Sequence, residues 1–161
     1  MSATQAVLTD RLAERIAGRR VISAVFTTFT FDPEFFELQV LPVLFDETFS
    51  QVDKVRRVQL EECLRSVEEV AVYYDRSGLT GEAKPPSLDF RRIDVHRRHG
   101  IFHPKVVLAL VEDPSDAEDS PSSQSLVVAA LSSNLTRSGW WENLEAGHVE
   151  VLAPPEEDEQ S

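Results

Sequence analysis

A single cysteine, Cys63, stands in the 161 residues, which excludes an internal disulfide framework and any cysteine-based zinc site. No apolar run approaches the ~18 residues needed to span a bilayer. The opening stretch MSATQAVLTDRLAERIAG carries charges where a secretory signal needs its apolar core. A cytoplasmic protein is therefore expected. Basic residues are also scarce: 16 Lys and Arg face 28 Asp and Glu, for a net charge of −12. That balance argues at first against a polyanionic partner.

The distribution of charge says more than its sum. Glu112, Asp113, Asp116, Glu118 and Asp119 lie in one Ser/Pro/Asp-rich stretch, and Glu156, Glu157, Asp158 and Glu159 lie in the tail. These acids come without a Lys or Arg among them, so the rest of the chain is close to neutral. Against that body stands a basic segment, Arg91, Arg92, His96, Arg97, Arg98 and His99. It reads either as a solvated face or as a grip for a nucleic-acid backbone. The acidic stretch is expected to be a surface loop, and a second reading makes it a strand mimic covering the basic segment.

The hydrophobic fraction of 42 % and charged fraction of 27 % fit a globular domain with a real core. Val7, Leu8, Leu12 and Ile16 recur at helical spacing, with Gly18 as a stop signal. Val21–Phe31 is β-branched and aromatic, and predicts a central strand. Asp32-Pro33-Glu34 predicts a helix start, running through Phe35, Phe36, Leu38 and Leu41 to Pro42. Val52, Val55, Leu60, Cys63, Leu64 and Val67 predict an amphipathic helix with a buried core thiol. Val70–Tyr74 predicts a second strand, followed by a loop with Gly78, Gly81, Pro85 and Pro86. Phe90–Val95, Phe102–Val111, Ser125–Ser132 and Gly147–Leu152 predict four more strands. The expected fold class is α/β, a mixed sheet flanked by helices. One domain over 1–152 is expected, with an acidic insertion at 112–125 and a disordered acidic tail at 153–161.

Chemistry concentrates in the second half. In His103-Pro104-Lys105, leading into a strand, the imidazole and ammonium share a face. Burying both in a core is costly without an anion. The pair suits a phosphate: lysine stabilises oxyanions, and imidazole attacks phosphorus or donates a proton. Downstream, Ser132 and Asn134 again share a strand face and offer uncharged phosphate donors. Asn143 and Glu145 follow, where a carboxylate can orient the histidine. Trp140 and Trp141 adjoin the motif as core residues or as stacking platforms for bases. His96, His99 and His148 read as surface or packing residues, with His99 also a possible substrate contact.

The run HPK…LSSNLTRSGWWENLE resembles the phospholipase D superfamily signature: HxK, a GSxN-type segment, then N-x-E. The likeness covers Ile101–Leu152, and the eleven-residue step from Asn134 to Glu145 fits the pattern. Leu131 replaces the usual glycine. Leu110 stands where the family's usual acid follows the lysine, a gap shared with tyrosyl-DNA phosphodiesterases. The resemblance implies a phospholipase D-like fold and a site made of two facing halves, each with one histidine, and no metal or other cofactor. One histidine forms a phosphohistidine while the other protonates the leaving oxygen. His103 would be the nucleophile, Lys105 and Asn134 phosphate binders, Ser132 an accessory donor and Glu145 the orienter, with Arg97 and Arg98 on the substrate backbone. With one HxK here, the second half comes from a homodimer partner or from another domain. A nuclease acting on DNA or RNA is the implied function. The alternative is a non-catalytic module of a larger bacterial defence or repair assembly, binding nucleic acid or protein. Phospholipid hydrolysis is disfavoured because no amphipathic membrane-binding segment stands out, and no membrane partner is expected.

Overall fold

The computed structural model describes residues 7–80, 88–115, 122–143 and 145–154. The predicted acidic tail beyond position 154, the middle of the acidic stretch, and Gly81, Pro85 and Pro86 lie outside these residues. Helix α1 (Val7–Ile16) leads to strand β1 (Arg20–Thr28). Gly18, at φ +75°, makes the left-handed stop between them. Asp32 caps the single turn α2 (Pro33–Phe35), accepting from the Phe35 N–H at 3.1 Å. The chain then passes through a π turn (Phe36–Val40) and a 3-10 turn (Leu41–Leu44). Pro42, without an N–H, prevents a regular helix from continuing here.

Helix α3 (Asp53–Arg65) buries Leu60, Cys63 and Leu64. Its expected apolar face is only partly right: Val52 and Val55 are 60 % and 48 % exposed, as is Val58 at 56 %, a residue outside that expected face. At 100° per residue, Val55 and Val58 lie about 140° and about 160° round from Leu60. Cys63 is the expected core thiol. Burial and then the Glu47 carboxylate beside it push its pKa up to about 11.

The remaining strands are β2 (Glu69–Asp75), β3 (Arg91–Val95), β4 (Val106–Glu112), β5 (Gln124–Leu131) and β6 (Gly147–Leu152). They form one six-stranded sheet in the order β3-β2-β1-β4-β5-β6. Strand β1 is central, as expected. It runs parallel to β2, and β2 parallel to β3, whereas β4, β5 and β6 continue antiparallel on the other side. The sheet is thus mixed, and helices flank it. They cover one face: Leu12, Ile16, Phe36, Leu41, Leu60 and Leu64 share a single core with Ala24, Phe26, Val72, Val107, Ala109, Val127 and Val149. Residues on the opposite face, such as Val25, Leu108 and Val128, are outside that core.

Glu112, Gln124 and Ser125 belong to strands β4 and β5, so the acidic insertion is shorter than 112–125. Ion pairs Arg19–Asp113 (2.7 Å) and Arg20–Glu112 (2.5 Å) anchor its base to the start of β1. Opposing negative charge at the hairpin end is thereby neutralised, and Ser122 and Ser125 hydroxyls bond the same two carboxylates. The predicted strand Phe102–Val111 starts late, at Val106, because 101–105 run along an irregular path. Among the described residues, no helix is long and apolar enough to cross a membrane.

Hydrogen bonds, first from Ser125, and then the Arg19 guanidinium hold the Asp113 carboxyl below the usual range, against the opposing effect of its burial. A depressed carboxyl contributes stability that is present above its unfolded pKa and lost as pH falls through its folded pKa. The stability gap between wild type and Asp113→Asn, read from denaturant midpoints, should therefore be full at pH 7. It should shrink from about pH 4 downward. A gap independent of pH would contradict this anchoring.

Candidate functional site

The motif residues gather at the end of the sheet opposite the acidic hairpin. Strand β1 exits there, β4 begins, and β5 ends. Thr27 on β1 fastens β4 by accepting from the Val106 N–H at 2.9 Å. The Leu131 N–H donates to the Lys105 carbonyl at 2.9 Å, tying the start of β4 to the end of β5.

His103 and Lys105 are brought together as the i, i+2 spacing implied, although the strand proper starts one residue later. Lys105 is buried, at 8 % exposure, whereas His103 is exposed. The Lys105 Nζ stands 3.0 Å from both Nδ1 and Nε2 of His103. An ammonium so placed can donate to whichever ring nitrogen carries the lone pair. Burial pushes the Lys105 pKa below its ordinary value, and the nearby Glu145 carboxylate pushes it partly back.

Asn134 is held by its carbonyl. Its Oδ1 accepts from the Thr30 N–H at 3.0 Å and lies 3.3 Å from the Thr28 hydroxyl. The single Thr28 proton serves the nearer Thr30 carbonyl, at 2.8 Å, and the same oxygen accepts from the Leu135 N–H at 3.0 Å. The Asn134 amide NH2 has no protein acceptor among the described residues and remains a donor for an incoming anion. Gly139 closes this turn tightly: a Cβ there would meet the Asn134 carbonyl oxygen at 2.5 Å.

Ser132 and Asn134 do not share one strand face, because β5 ends at Leu131 and the chain turns. The Ser132 hydroxyl instead bonds Glu145 Oε2, and accepts from the Ala146 N–H at 2.9 Å. Glu145 therefore meets Ser132 and supports the Lys105 charge, and makes no hydrogen bond to His103. The orienting contacts on His103 come from elsewhere. The Phe29 ring packs on the imidazole at 5.5 Å between centroids and 37°. Asp75, at the end of β2, accepts from the Phe102 N–H through Oδ2 at 2.7 Å and from Ser77 through Oδ1. The Ser77 hydroxyl first, and then the Phe102 amide, hold the Asp75 carboxyl below its usual range. Sequence reasoning missed Asp75, Phe29 and Thr28. An aspartate closing the run VAVYYD was the available signal for the first.

Arg97 and Arg98 lie exposed in the loop before the motif, with no ion pair among the described residues. Trp140 is a core residue, 4 % exposed and edge-on to Phe35. Trp141 is half-buried, with the Arg137 guanidinium 5.1 Å from its ring centroid. His96, His99 and His148 are exposed, and His148 sits on β6 beside Glu150.

No family model matches the chain, and neither does any curated protein. Solved structures do. Two variants of yeast tyrosyl-DNA phosphodiesterase superpose on 88 % of the chain at TM-scores of 0.53 and 0.51, with 10 % identity. The chain shares the fold of that enzyme, in line with the phospholipase D-like fold that the motif resemblance implied. The chain spans 28 % of the length of these two structures. NucT from Helicobacter pylori overlaps 88 % of this chain and 75 % of its own at 13 % identity, but its TM-score of 0.44 adds nothing to the assignment.

The Asp75 clamp has a direct consequence. Asp75→Ala should raise the hydrogen-exchange rate of the Phe102 amide at least about tenfold while the β1–β4 amides stay protected. Unchanged exchange at Phe102 would show that this carboxylate does not position the segment before His103.

Proposed function

We propose that this end of the sheet is one half of a two-histidine phosphodiesterase site that acts on nucleic acid. The observation that carries the reading is the buried Lys105 ammonium set 3.0 Å from both nitrogens of an exposed imidazole. Among the described residues Lys105 makes no ion pair and feels only the field of the Glu145 carboxylate, so a phosphodiester anion can take its ammonium, with the Asn134 amide NH2 as a further donor.

In the first step a ring nitrogen of His103 attacks phosphorus. A P–N bond forms and the P–O bond to the leaving group breaks, its oxygen taking a proton from the histidine of the second half. Water, deprotonated by that same histidine, then attacks phosphorus and releases His103. Lys105 and the Asn134 amide neutralise the phosphoryl oxygens throughout, so the reaction is expected to proceed without a metal ion. Ser132 holds Glu145, whose carboxylate opposes the effect of burial on the Lys105 ammonium. This role differs from the histidine-orienting one that the family pattern implies. The backbone clamp from Asp75 and the Phe29 ring fix the imidazole instead. Arg97 and Arg98 contact flanking phosphates. The names of the structural relatives, a DNA phosphodiesterase first among them, support nucleic acid over lipid.

A second reading is favoured by the single HxK and by Leu110 in place of the usual acid: a non-catalytic phospholipase D-like module that binds nucleic acid or protein. Cleavage of labelled single- and double-stranded DNA and RNA in EDTA separates the two. The phosphodiesterase reading expects turnover that survives EDTA and drops by about three orders of magnitude or more in His103→Ala. Nucleic-acid binding without turnover, equal in wild type and His103→Ala, supports the module and removes the enzyme.

A further inference from the structure

Where β2 ends and the loop after β3 returns toward His103, the surface holds a cavity of about 270 Å³ that the proposed reaction leaves unassigned. Asp75, Val95, His96, Arg97, Gly100 and Ile101 are among the residues that line it. Gly100, at φ +81°, turns the loop between His96 and Ile101. Ile101 is 52 % exposed, a large aliphatic side chain left open to solvent. It stands two residues before His103, on the order of 7 Å of extended chain. The Phe102 N–H between them is the group that Asp75 holds at 2.7 Å. The cavity and the imidazole are therefore fixed to the same clamp.

The lining restricts what can enter. Asp75 is 7 % exposed, and its oxygens accept three hydrogen bonds from the protein. The Ser77 N–H (2.9 Å) and hydroxyl (2.5 Å) use Oδ1, and the Phe102 N–H uses Oδ2. An ionised carboxylate offers about four acceptor positions, so one on Oδ2 stays open. A second phosphate would meet like charge there, whereas a neutral N–H donor would be welcome. Val95 and Ile101 add apolar wall, and the exposed His96 ring is a stacking surface. Arg97 is exposed and makes no ion pair among the described residues. A nucleotide satisfies all of these at once, with apolar ring faces, N–H donors on the ring edge and an attached phosphate for Arg97. The volume falls below the ~300–1,000 Å³ of pockets for drug-sized ligands, and suits one ring with its sugar.

We infer that this cavity takes one unpaired base of a single-stranded nucleic acid, beside the phosphate at His103, and selects bases that present an exocyclic amine to Asp75. Cytosine offers its N4 amine and adenine its N6 amine. Thymine and uracil instead set carbonyl oxygens on both sides of their one edge N–H, and the carboxylate repels those oxygens. A base inside a duplex has its pairing edge engaged and its faces stacked, so it enters only after both are given up. The inference rests on the phosphodiesterase reading for the position of the phosphate, and on nothing in that reading for the base. It narrows the substrate from nucleic acid in general to single strands with a base preference.

The test is binding of short labelled oligodeoxynucleotides in EDTA to the full chain carrying His103→Ala, so that no strand is cut, read by fluorescence anisotropy. Cytosine strands should bind at least about tenfold tighter than thymine strands or abasic strands of equal charge. Annealing a complementary strand should abolish that ranking. Adding Ile101→Ser or His96→Ala, both at exposed positions, should bring cytosine and thymine strands to within about twofold while the thermal transition is retained. Equal binding of cytosine, thymine and abasic strands overturns the proposal, as does no binding at all. A ranking that survives in the duplex, or in both substituted chains, overturns it too. Cleavage by the wild type is read separately on the same strands. Cleavage without a base ranking removes the base site and keeps the phosphodiesterase, and a base ranking without cleavage does the reverse.

Discussion

The buried hydroxyl of Thr28 is the point on which the candidate site depends. It is fully inaccessible, donates to the Thr30 carbonyl and accepts from the Leu135 amide. With the Asn134 carbonyl on the Thr30 N–H, it joins the exit of β1 to the turn after β5, two segments more than a hundred residues apart in the chain. The extension of β1 then threads between two neighbours. The Phe31 N–H donates to the Gly78 carbonyl and the Asp32 N–H to the Leu135 carbonyl, both at 2.9 Å. Gly78 is needed for that approach, because a Cβ there would sit 2.0 Å from the Phe29 carbonyl oxygen. Three elements of the site are referred to this knot: Phe29 against the His103 ring, Asn134 by its side-chain carbonyl, and Asp75 at the end of the neighbouring strand.

Electrostatics divides the sheet lengthwise. Acidic residues of the β4–β5 hairpin are spent on Arg19 and Arg20, about six residues or roughly 20 Å from the site end. Asp116, Glu118 and Asp119, which would carry a mimic of a nucleic-acid strand, lie outside the described residues, and the described base of the stretch leaves from the end of the sheet opposite the site. At the site end, Arg97 and Arg98 are exposed beside the motif. A chain with a net charge of −12 can thus present a locally cationic end to a polyanion.

Much of this was legible in the sequence because it is local. The β-branched run in β1, the Asp32-Pro33 start and the Cys63 core position follow from propensity, capping and periodicity. The pairing of His103 with Lys105 follows from their two-residue spacing alone. What was not legible depends on contacts distant in sequence. Ser132 and Asn134 part because β5 ends at Leu131, and an alternating pattern does not reveal where a strand stops. Glu145 finds Ser132 rather than His103 because the turn through Trp140 returns the chain along β5. The outward turn of Val55 and Val58 reflects a helix whose packing is decided at Leu60 and Leu64, while Arg57 turns inward to meet buried Glu37. The open face of the sheet emerges only when the pairings of all six strands are read together.

In the proposed reaction His103 becomes covalently bonded to phosphorus during turnover. The most direct test of this step is an alkaline quench of the full chain on a labelled oligonucleotide, followed by peptide mass spectrometry. A nucleotide phosphoryl adduct on the His103 peptide, absent from His103→Ala, is the expected result. Turnover without that adduct, or an adduct carried by another residue, would contradict the assignment of His103 as the nucleophile.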